Sequence, residues 1–166
     1  MSEEKPFTRE RLLRILDGQA RKTAHAIAGL DEATADQAAR EDGWTAKEIL
    51  AHMASGHEGM LALAQGRAPA GVAPESFDLD AYNEEQRQRA AGWSLAEVIA
   101  RLEAARAAVR SYILELDEAD YGATVHTPWL GDHTQGQFLV FPALHEGGHR
   151  AELERWRAAV EGGGDG

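Results

Sequence analysis

Apolar residues recur at spacings of three and four along four long stretches of the chain. The stretches are residues 8 to 29, 45 to 65, 94 to 116 and 134 to 160. Residues three or four positions apart lie on the same side of an α-helix, so each stretch predicts a helix that buries one face. The pattern therefore predicts an all-α protein built as a four-helix bundle.

Three of these helices share a start signal, a Ser or Thr followed three residues later by Glu or Gln. In such a capping box each side chain hydrogen-bonds to the backbone N–H of the other residue. The pairs are Thr45 with Glu48, Ser94 with Glu97, and Thr134 with Gln137. We therefore expect the second, third and fourth helices to begin directly after Thr45, Ser94 and Thr134.

The connections between the helices differ in length and composition. Residues 66 to 76, GRAPAGVAPES, are rich in Pro and Gly and predict a linker, followed by a shorter helix around residues 79 to 90. Residues 118 to 133 are long for a loop between bundle helices and contain Trp129 and two histidines. Loops of that length often have a function. Pro142 is expected to kink the fourth helix.

The composition is that of one globular domain with its own core. The chain has 166 residues, of which 43% are apolar and 27% are charged. We expect a single domain over residues 1 to 166, with the core between about residues 8 and 160. The ends, residues 1 to 6 and 161 to 166, are expected to be disordered.

The net charge argues against several classes of partner. Lys and Arg sum to 17 against 28 Asp and Glu, a net charge of −11 that repels nucleic-acid phosphates and anionic lipid. The sequence lacks both a membrane-spanning apolar run and the charged-then-apolar start of a signal peptide. We therefore expect a cytoplasmic protein that acts on a small molecule, with neither nucleic acid nor membrane as a partner.

The chain contains no cysteine. This excludes disulfides, thiolate metal ligands and a cysteine nucleophile. A metal site must then use His, Asp or Glu, and thiol chemistry needs a thiol from outside the protein.

Three histidines are candidates for a shared site. In the segment LHEGGHRAEL, His145 and His149 are one helical turn apart, on the apolar stripe that also carries Phe138. His52 lies at the edge of the inner stripe of the second helix, about 60° from Ile49. Burying an unpaired polar group costs on the order of 1 to 3 kcal/mol. The pattern therefore favours a metal site, and the alternative is core histidines that bond to the backbone, to water or to each other.

Five other residues have simpler explanations. Glu48 is better explained by its capping box than as a fourth metal ligand. His57 lies at the margin of the inner stripe and is expected to be exposed or at an interface. His126 and His133 lie in the long loop, where they line a pocket or are solvated, and His25 falls outside the group.

Two glycines, Gly147 and Gly148, interrupt the fourth helix between its histidines. Each costs roughly 1 kcal/mol relative to Ala in a helix interior. Gly148 flanks the inner stripe, where a missing side chain lets a helix or ligand approach. Gly147 is predicted to point outward, where a close dimer contact or simple tolerance explains it.

The segments WTAKEILAHMA, SLAEVIARLEAARAAVRSYILEL and HEGGHRAELE together resemble the DinB-like (YfiT-like) superfamily of metalloenzymes, over residues 8 to 158. This superfamily is related to thiol-dependent S-transferases and to the N-terminal domains of mycothiol-dependent maleylpyruvate isomerases. Its most specific element, a helix-two His with H-x-x-x-H-R on helix four, corresponds here to His52, His145, His149 and Arg150. The resemblance implies an up-down-down-up bundle with a long connection between helices two and three. It also implies a divalent ion such as zinc or nickel held by three side chains, and a homodimer.

The leading hypothesis for function is a metal-dependent enzyme. Three imidazole ligands leave an open metal position, where a thiol or water loses its proton more easily. We expect a low-molecular-weight thiol or water to be activated for S-transfer to, or isomerisation of, a small electrophile. The alternatives are a noncatalytic bundle that binds a small ligand and a dimeric structural domain.

Further residues join the candidate site under this hypothesis. Arg150 is expected either to orient an anionic group or to be a solvated helix residue. Trp129, Tyr82 and Asn83 are expected to line the mouth of the site or to pack structurally. Glu152 stands where members of the family often carry Gln, which adds a negative charge near the site.

Overall fold

The structure is a computed structural model that describes residues 7 to 68, 78 to 128 and 130 to 163. Its elements in chain order are α1 (Arg9–Ala26), α2 (Glu32–Ala35), α3 (Ala46–Ala64), α4 (Leu79–Ala90), α5 (Leu95–Glu115), a 3-10 helix (Glu118–Gly122), β1 (Thr124–Thr127), β2 (Gly131–Thr134) and α6 (Gln135–Gly162). The ends at 1 to 6 and 164 to 166, and most of the predicted linker, lie outside the described residues. Within these residues, no helix combines the length and apolar character needed to span a bilayer.

Four of the helices, α1, α3, α5 and α6, form a bundle. Helix α3 packs against α5 and α6, and α1 packs against the same two helices, so α1 and α3 occupy opposite corners. Helix α6 continues through Pro142, where a kink was expected, as one helix of 28 residues. The predicted all-α four-helix bundle is confirmed.

Contacts at the helix ends fix the direction of each helix. Gln135 Nε2 at the start of α6 donates to the carbonyl of Ala64 at the end of α3 (2.7 Å), so these helices run antiparallel. Arg157 Nη1 near the end of α6 donates to the carbonyl of Ala26 at the end of α1 (2.8 Å), so α1 and α6 run parallel. Arg9 Nη2 at the start of α1 donates to the carbonyl that follows α5 (2.7 Å), so α5 runs opposite to α1. The bundle is therefore up-down-down-up, and α4 lies in the long connection between α3 and α5.

The three predicted capping boxes are all present, at the starts of α3, α5 and α6. At α3, Glu48 N donates to Thr45 Oγ1 (3.1 Å) and Thr45 N donates to Glu48 Oε2 (2.8 Å). A capping box involves only residues three apart. Local sequence was therefore enough to predict where these three helices begin.

Two short regions of the chain differ from the expectation. The described part of residues 118 to 133, predicted as a loop, forms the 3-10 helix and an antiparallel β1–β2 hairpin in which Val125 pairs with His133. These four-residue strands consist mostly of polar residues, so they give no alternating apolar pattern. The single-turn α2 was also not predicted; its Glu32 accepts from Lys47 Nζ and from Leu95 N, both at 2.7 Å. This carboxylate ties α2 to the starts of α3 and α5.

The buried apolar residues form two clusters along the bundle. The first contains Ile49, Met53, Val98, Leu102 and Leu153. The second contains Leu12, Leu16, Val109, Ile113 and Leu139. The bundle core is therefore divided in two along its length.

The predicted surroundings of Gly147 and Gly148 were wrong. A Cβ at Gly147 would lie 3.1 Å from Gln19 Oε1 on α1, so this glycine faces a neighbouring helix and does not point outward. A Cβ at Gly148 would meet no described atom within 4 Å, so none of the described helices packs closely against it. Because α6 packs against both α1 and α3, its buried face is wider than the stripe counted from the sequence.

We predict that Gly148→Ala raises the unfolding free energy of the metal-free protein by about 0.5 to 1 kcal/mol, because Ala restricts the unfolded chain and meets no obstacle. Urea unfolding followed by circular dichroism measures this change. Gly147→Ala is the comparison, and it should gain less because its methyl group must displace Gln19. A loss of stability in Gly148→Ala would contradict the open surroundings found at this position.

Candidate metal centre

Three imidazoles meet between α3 and α6. Nε2 of His145 lies 3.1 Å from Nε2 of His52 and 3.1 Å from Nε2 of His149. One ligand atom from each ring lies within 4.8 Å of the other two, and all three residues are partly buried. The structure thus brings together the three histidines that the sequence analysis selected.

The antiparallel packing of α3 and α6 explains this convergence. His145 and His149 are one turn apart on α6 and face His52 on α3, with ring centroids 4.8 and 4.7 Å from that of His52. Gly56, one turn after His52, leaves room for His145, because a Cβ there would lie 3.1 Å from His145 Nδ1. Trp44 packs edge-on against His52 at 5.5 Å between ring centroids.

Glu152 fixes the orientation of one of the three rings. His149 Nδ1 donates to Glu152 Oε2 at 3.0 Å, one turn along α6. A hydrogen bond of this kind places the proton of the neutral ring on Nδ1 and leaves the lone pair on Nε2. The sequence analysis assigned no role to the negative charge of Glu152. In the structure, Glu152 makes His149 Nε2 an acceptor that faces the other two rings.

Hydrogen bonds among the three rings cannot satisfy all of their nitrogens. With a lone pair on His149 Nε2, the single N–H of a neutral His145 can serve only one of its two Nε2 neighbours. Nδ1 of His52 and Nδ1 of His145 are buried and bond to no described residue. A cation that accepts a lone pair from each ring resolves this conflict.

The spacing of the rings also suits a divalent metal ion. Zinc–nitrogen bonds of about 2.0 to 2.1 Å place tetrahedral ligands about 3.3 Å apart. The two measured Nε2 separations of 3.1 Å are close to that distance. Imidazole is a common ligand of zinc, copper, iron and nickel. The residues present therefore fit a divalent transition-metal ion.

Burial keeps two of the rings uncharged. It lowers the pKa of His52 to about 3, with further lowering from the charges of His145, His149 and Arg40. Burial likewise lowers the pKa of His145 to about 4, with a further contribution from His149. Both rings are neutral at pH 7, which is the state that binds a metal ion.

A second polar group, centred on Glu146, lies directly beside His145 and is buried. Glu146 accepts from Thr23 Oγ1 (2.5 Å), from His57 Nε2 (2.7 Å) and from Arg106 Nε and Nη2 (3.0 and 2.5 Å). Burial alone would raise the pKa of Glu146, but the bonds from His57 and Arg106, the Arg106 charge and the bond from Thr23 outweigh it and lower the pKa to about 2. The Glu146 cluster, as we call these four residues, therefore holds an ionised carboxylate in the core.

The Glu146 cluster corrects the expectation for His57, which is fully buried instead of exposed. Each bundle helix contributes one of the four members. Along its helix, each member lies between residues that pack in the first apolar cluster and residues that pack in the second. The sequence held a partial signal, since Thr23 lies on the apolar stripe of the first helix and Glu146 adjoins an inward-facing histidine. The partners of that carboxylate depend on how the helices pack, which local spacing does not encode.

A cavity of about 670 Å³ opens onto the histidines, and His52 and His145 form part of its wall. Tyr82, Asn83 and His133 also line it. Its other lining residues include Ile15, Met60, Leu63, Phe138, Val140 and Phe141. The cavity gives a small molecule access to the imidazole cluster.

Three other predicted candidates, Arg150, His126 and Glu48, do not line the cavity. Arg150 pairs with Glu154 at 2.7 Å and does not line the cavity, so its role in orienting an anion stays a prediction. His126 is exposed and pairs with Asp132. Glu48 serves the capping box of α3. Trp129 lies outside the described residues.

Comparisons with known proteins support the same fold. The sequence matches the DinB superfamily over residues 15 to 153, whereas a search of curated proteins found no match. YfiT from Bacillus subtilis, described as a probable metal-dependent hydrolase, superposes with a TM-score of 0.71 at 14% identity, covering 98% of this chain and 94% of YfiT. A sibling lethal factor precursor, DfsB, gives a TM-score of 0.77 at 17% identity, with 95% and 98% covered.

A third structure, of a mycothiol-dependent maleylpyruvate isomerase, gives a TM-score of 0.68 at 18% identity over 89% of this chain. The chain spans only 61% of the length of that isomerase. At such identities these likenesses establish a shared fold and leave the chemistry to the residues of the site.

We predict that Glu146→Gln lowers the unfolding free energy by about 3 to 5 kcal/mol, because the change leaves the Arg106 charge without its buried partner. Glu154→Gln is the matched control on the same helix, and its partly exposed pair with Arg150 should contribute less than about 1 kcal/mol. Chemical denaturation of both variants measures the difference. Equal losses in the two variants would show that the Glu146 cluster does not stabilise the bundle.

The lowered pKa of His52 predicts a pH dependence of stability for the metal-free protein. In the unfolded chain this ring takes up a proton near pH 6.5, whereas the folded protein keeps it neutral until about pH 3. The contribution of this ring to the unfolding free energy should therefore be complete above pH 6.5 and be lost as the pH drops toward 3. His145 should add a loss in the same direction. His52→Asn should flatten this slope between pH 7 and 5, in denaturation measured with chelator present. An unchanged slope in His52→Asn would contradict the assignment.

Proposed function

The chain belongs to the DinB superfamily, and we propose that it is a metal-dependent enzyme that activates a low-molecular-weight thiol, or water, for S-transfer to or isomerisation of a small electrophile. The observation that supports this most directly is the cluster of His52, His145 and His149 on the wall of an accessible cavity. Two proteins with the same fold are described in related terms: YfiT as a probable metal-dependent hydrolase, and the maleylpyruvate isomerase as mycothiol-dependent. The proposed ion is zinc or nickel.

Each residue of the site has a role in this proposal. His52, His145 and His149 hold the ion, and Glu152 keeps the His149 lone pair directed toward it. When bound, a divalent ion lowers the pKa of a thiol or water that binds beside it and makes that group a nucleophile near neutral pH. Tyr82 on α4 lines the cavity that receives the electrophile.

The composition of the chain decides where a thiol nucleophile must come from. The sequence has no cysteine, so an attacking thiol must enter as a cosubstrate. Arg150 orients an anionic group in this proposal, and the protein acts as a cytoplasmic homodimer, as the sequence analysis expected. The alternative function is a noncatalytic bundle that binds a small ligand, which the apolar lining of the cavity favours.

We predict that the protein binds one divalent ion per chain after chelation and refilling with zinc or nickel, as measured by equilibrium dialysis. His52→Ala should weaken binding by more than the roughly 10- to 100-fold typical for loss of an outer partner of a metal ligand, because it removes a ligand itself. His126→Ala, at an exposed position outside the cluster, is the control and should bind as the parent does.

Panels of thiols and electrophiles then separate the two functions. The metal-filled protein should turn over a thiol with an electrophile, and His52→Ala should not. Less than one tightly bound ion per chain would contradict the metal centre. One bound ion with ligand-induced thermal stabilisation but no turnover would favour the noncatalytic alternative.

A further inference from the structure

We propose that this site selects compounds with an uncharged apolar body and a single polar head group, the body filling the cavity and the head reaching the histidine cluster. The proposal rests on the proposed function, because the head group is the part that meets the metal ion. It excludes sugars and dicarboxylates as preferred substrates of this chain.

The walls of the cavity are predominantly apolar. Helix α3 contributes Met60 and Leu63, α6 contributes Phe138 and Phe141, and α1 contributes Ile15. A volume of about 670 Å³ falls within the roughly 300 to 1,000 Å³ typical of pockets for small organic ligands. Burying the apolar surface of a ligand against such a wall stabilises the complex. A strongly hydrated compound would lose its water there without equivalent partners.

Few polar groups in the wall are open to a ligand. Ser55 Oγ donates to the carbonyl of His52 (2.9 Å), and Gln137 Oε1 accepts from the backbone N–H of Thr134 (2.8 Å) in the capping box. Among the lining residues that the structure describes there is no carboxylate, and Arg11, which stacks on Phe7 at 5.1 Å, is the one side chain of that set with a permanent charge. The remaining polar lining side chains are few and include Tyr82, Asn83 and His133. A ligand with several charges or hydroxyls would therefore lose more hydration than this wall replaces.

The apolar surface continues outward from the histidines to the rim of the cavity. Phe141 stacks on the ring of His145, with 5.9 Å between centroids and 18° between planes. At the rim, four large apolar side chains are strongly exposed: Leu79 (55%), Leu130 (42%), Phe141 (49%) and Leu144 (56%). This continuity from rim to imidazole favours a small molecule that enters the cavity over a second protein surface that covers only the rim.

The test uses straight-chain hydroxamic acids, whose head group chelates metal ions and whose tail can be lengthened one methylene at a time. Calorimetric titration of the zinc-filled protein with the two-, four-, six- and eight-carbon compounds should show binding that tightens by about fourfold per methylene, the factor equivalent to about 0.8 kcal/mol. A hydroxamic acid whose tail is as long as that of the eight-carbon compound but contains ether oxygens should gain much less affinity over the two-carbon compound.

A pair of matched variants assigns this gain to the cavity. Met60→Gln keeps the length of the side chain but makes the wall polar, so it should reduce the affinity ratio of the eight-carbon to the two-carbon compound at least about fivefold. Leu114→Gln makes the same kind of change at an exposed residue of α5 outside the cavity, and its ratio should equal that of the parent.

Neutral n-alkyl amides, which do not chelate, test the cavity without the metal. Octanamide should bind the metal-free protein more tightly than butanamide, and Met60→Gln should reduce that preference.

Equal binding of all tail lengths to the zinc-filled protein would overturn the substrate class and leave the metal centre intact. Metal-independent binding of the two-carbon hydroxamate would overturn the proposed function, while a surviving amide preference would retain the apolar cavity. A chain-length gain that disappears as the protein concentration rises would show that a second copy covers the rim, and would overturn the proposal.

Discussion

The structure depends on one buried carboxylate, that of Glu146. It is completely buried and accepts hydrogen bonds from α1, α3 and α5 while belonging to α6 itself. Removing a carboxylate from water is costly, and only a full set of partners makes such a position tolerable. The four bundle helices therefore have one register in which this charge is satisfied. Other registers of the same apolar stripes would leave both Glu146 and Arg106 without partners.

That constraint also places the histidine cluster. His145 precedes Glu146 in the chain, and His57 lies five residues after His52 on α3. Any slip of α3 against α6 that separated His52 from His145 would also pull His57 away from Glu146. The apolar clusters above and below give the bundle most of its burial, but apolar contacts are not directional. The polar layer between them supplies the directional contacts that keep the rings together.

The contrast between local and long-range interactions decides how much of this could be predicted from sequence. Capping boxes and helical stripes depend on residues three or four apart, which is why Thr45, Ser94 and Thr134 predicted the helix starts and why His52, His145 and His149 were found on inner faces. The burial of His57 was missed because its partners come from other helices. The surroundings of Gly147 were missed for the same reason, since a single stripe does not show that α6 also contacts α1. The short hairpin gave no periodic signal at all.

The three rings are not held alike. His149 has a carboxylate on its far nitrogen and does not line the cavity, whereas His52 and His145 line it and have no described partner on Nδ1. One ring is therefore oriented by a hydrogen bond, whereas the two rings on the cavity wall are held by aromatic packing against Trp44 and Phe141. Glu152 sets the tautomer of His149. The tautomers of His52 and His145 are left to whatever shares their Nε2 atoms, so a change of occupant alters two rings of the cluster and leaves the third as it is.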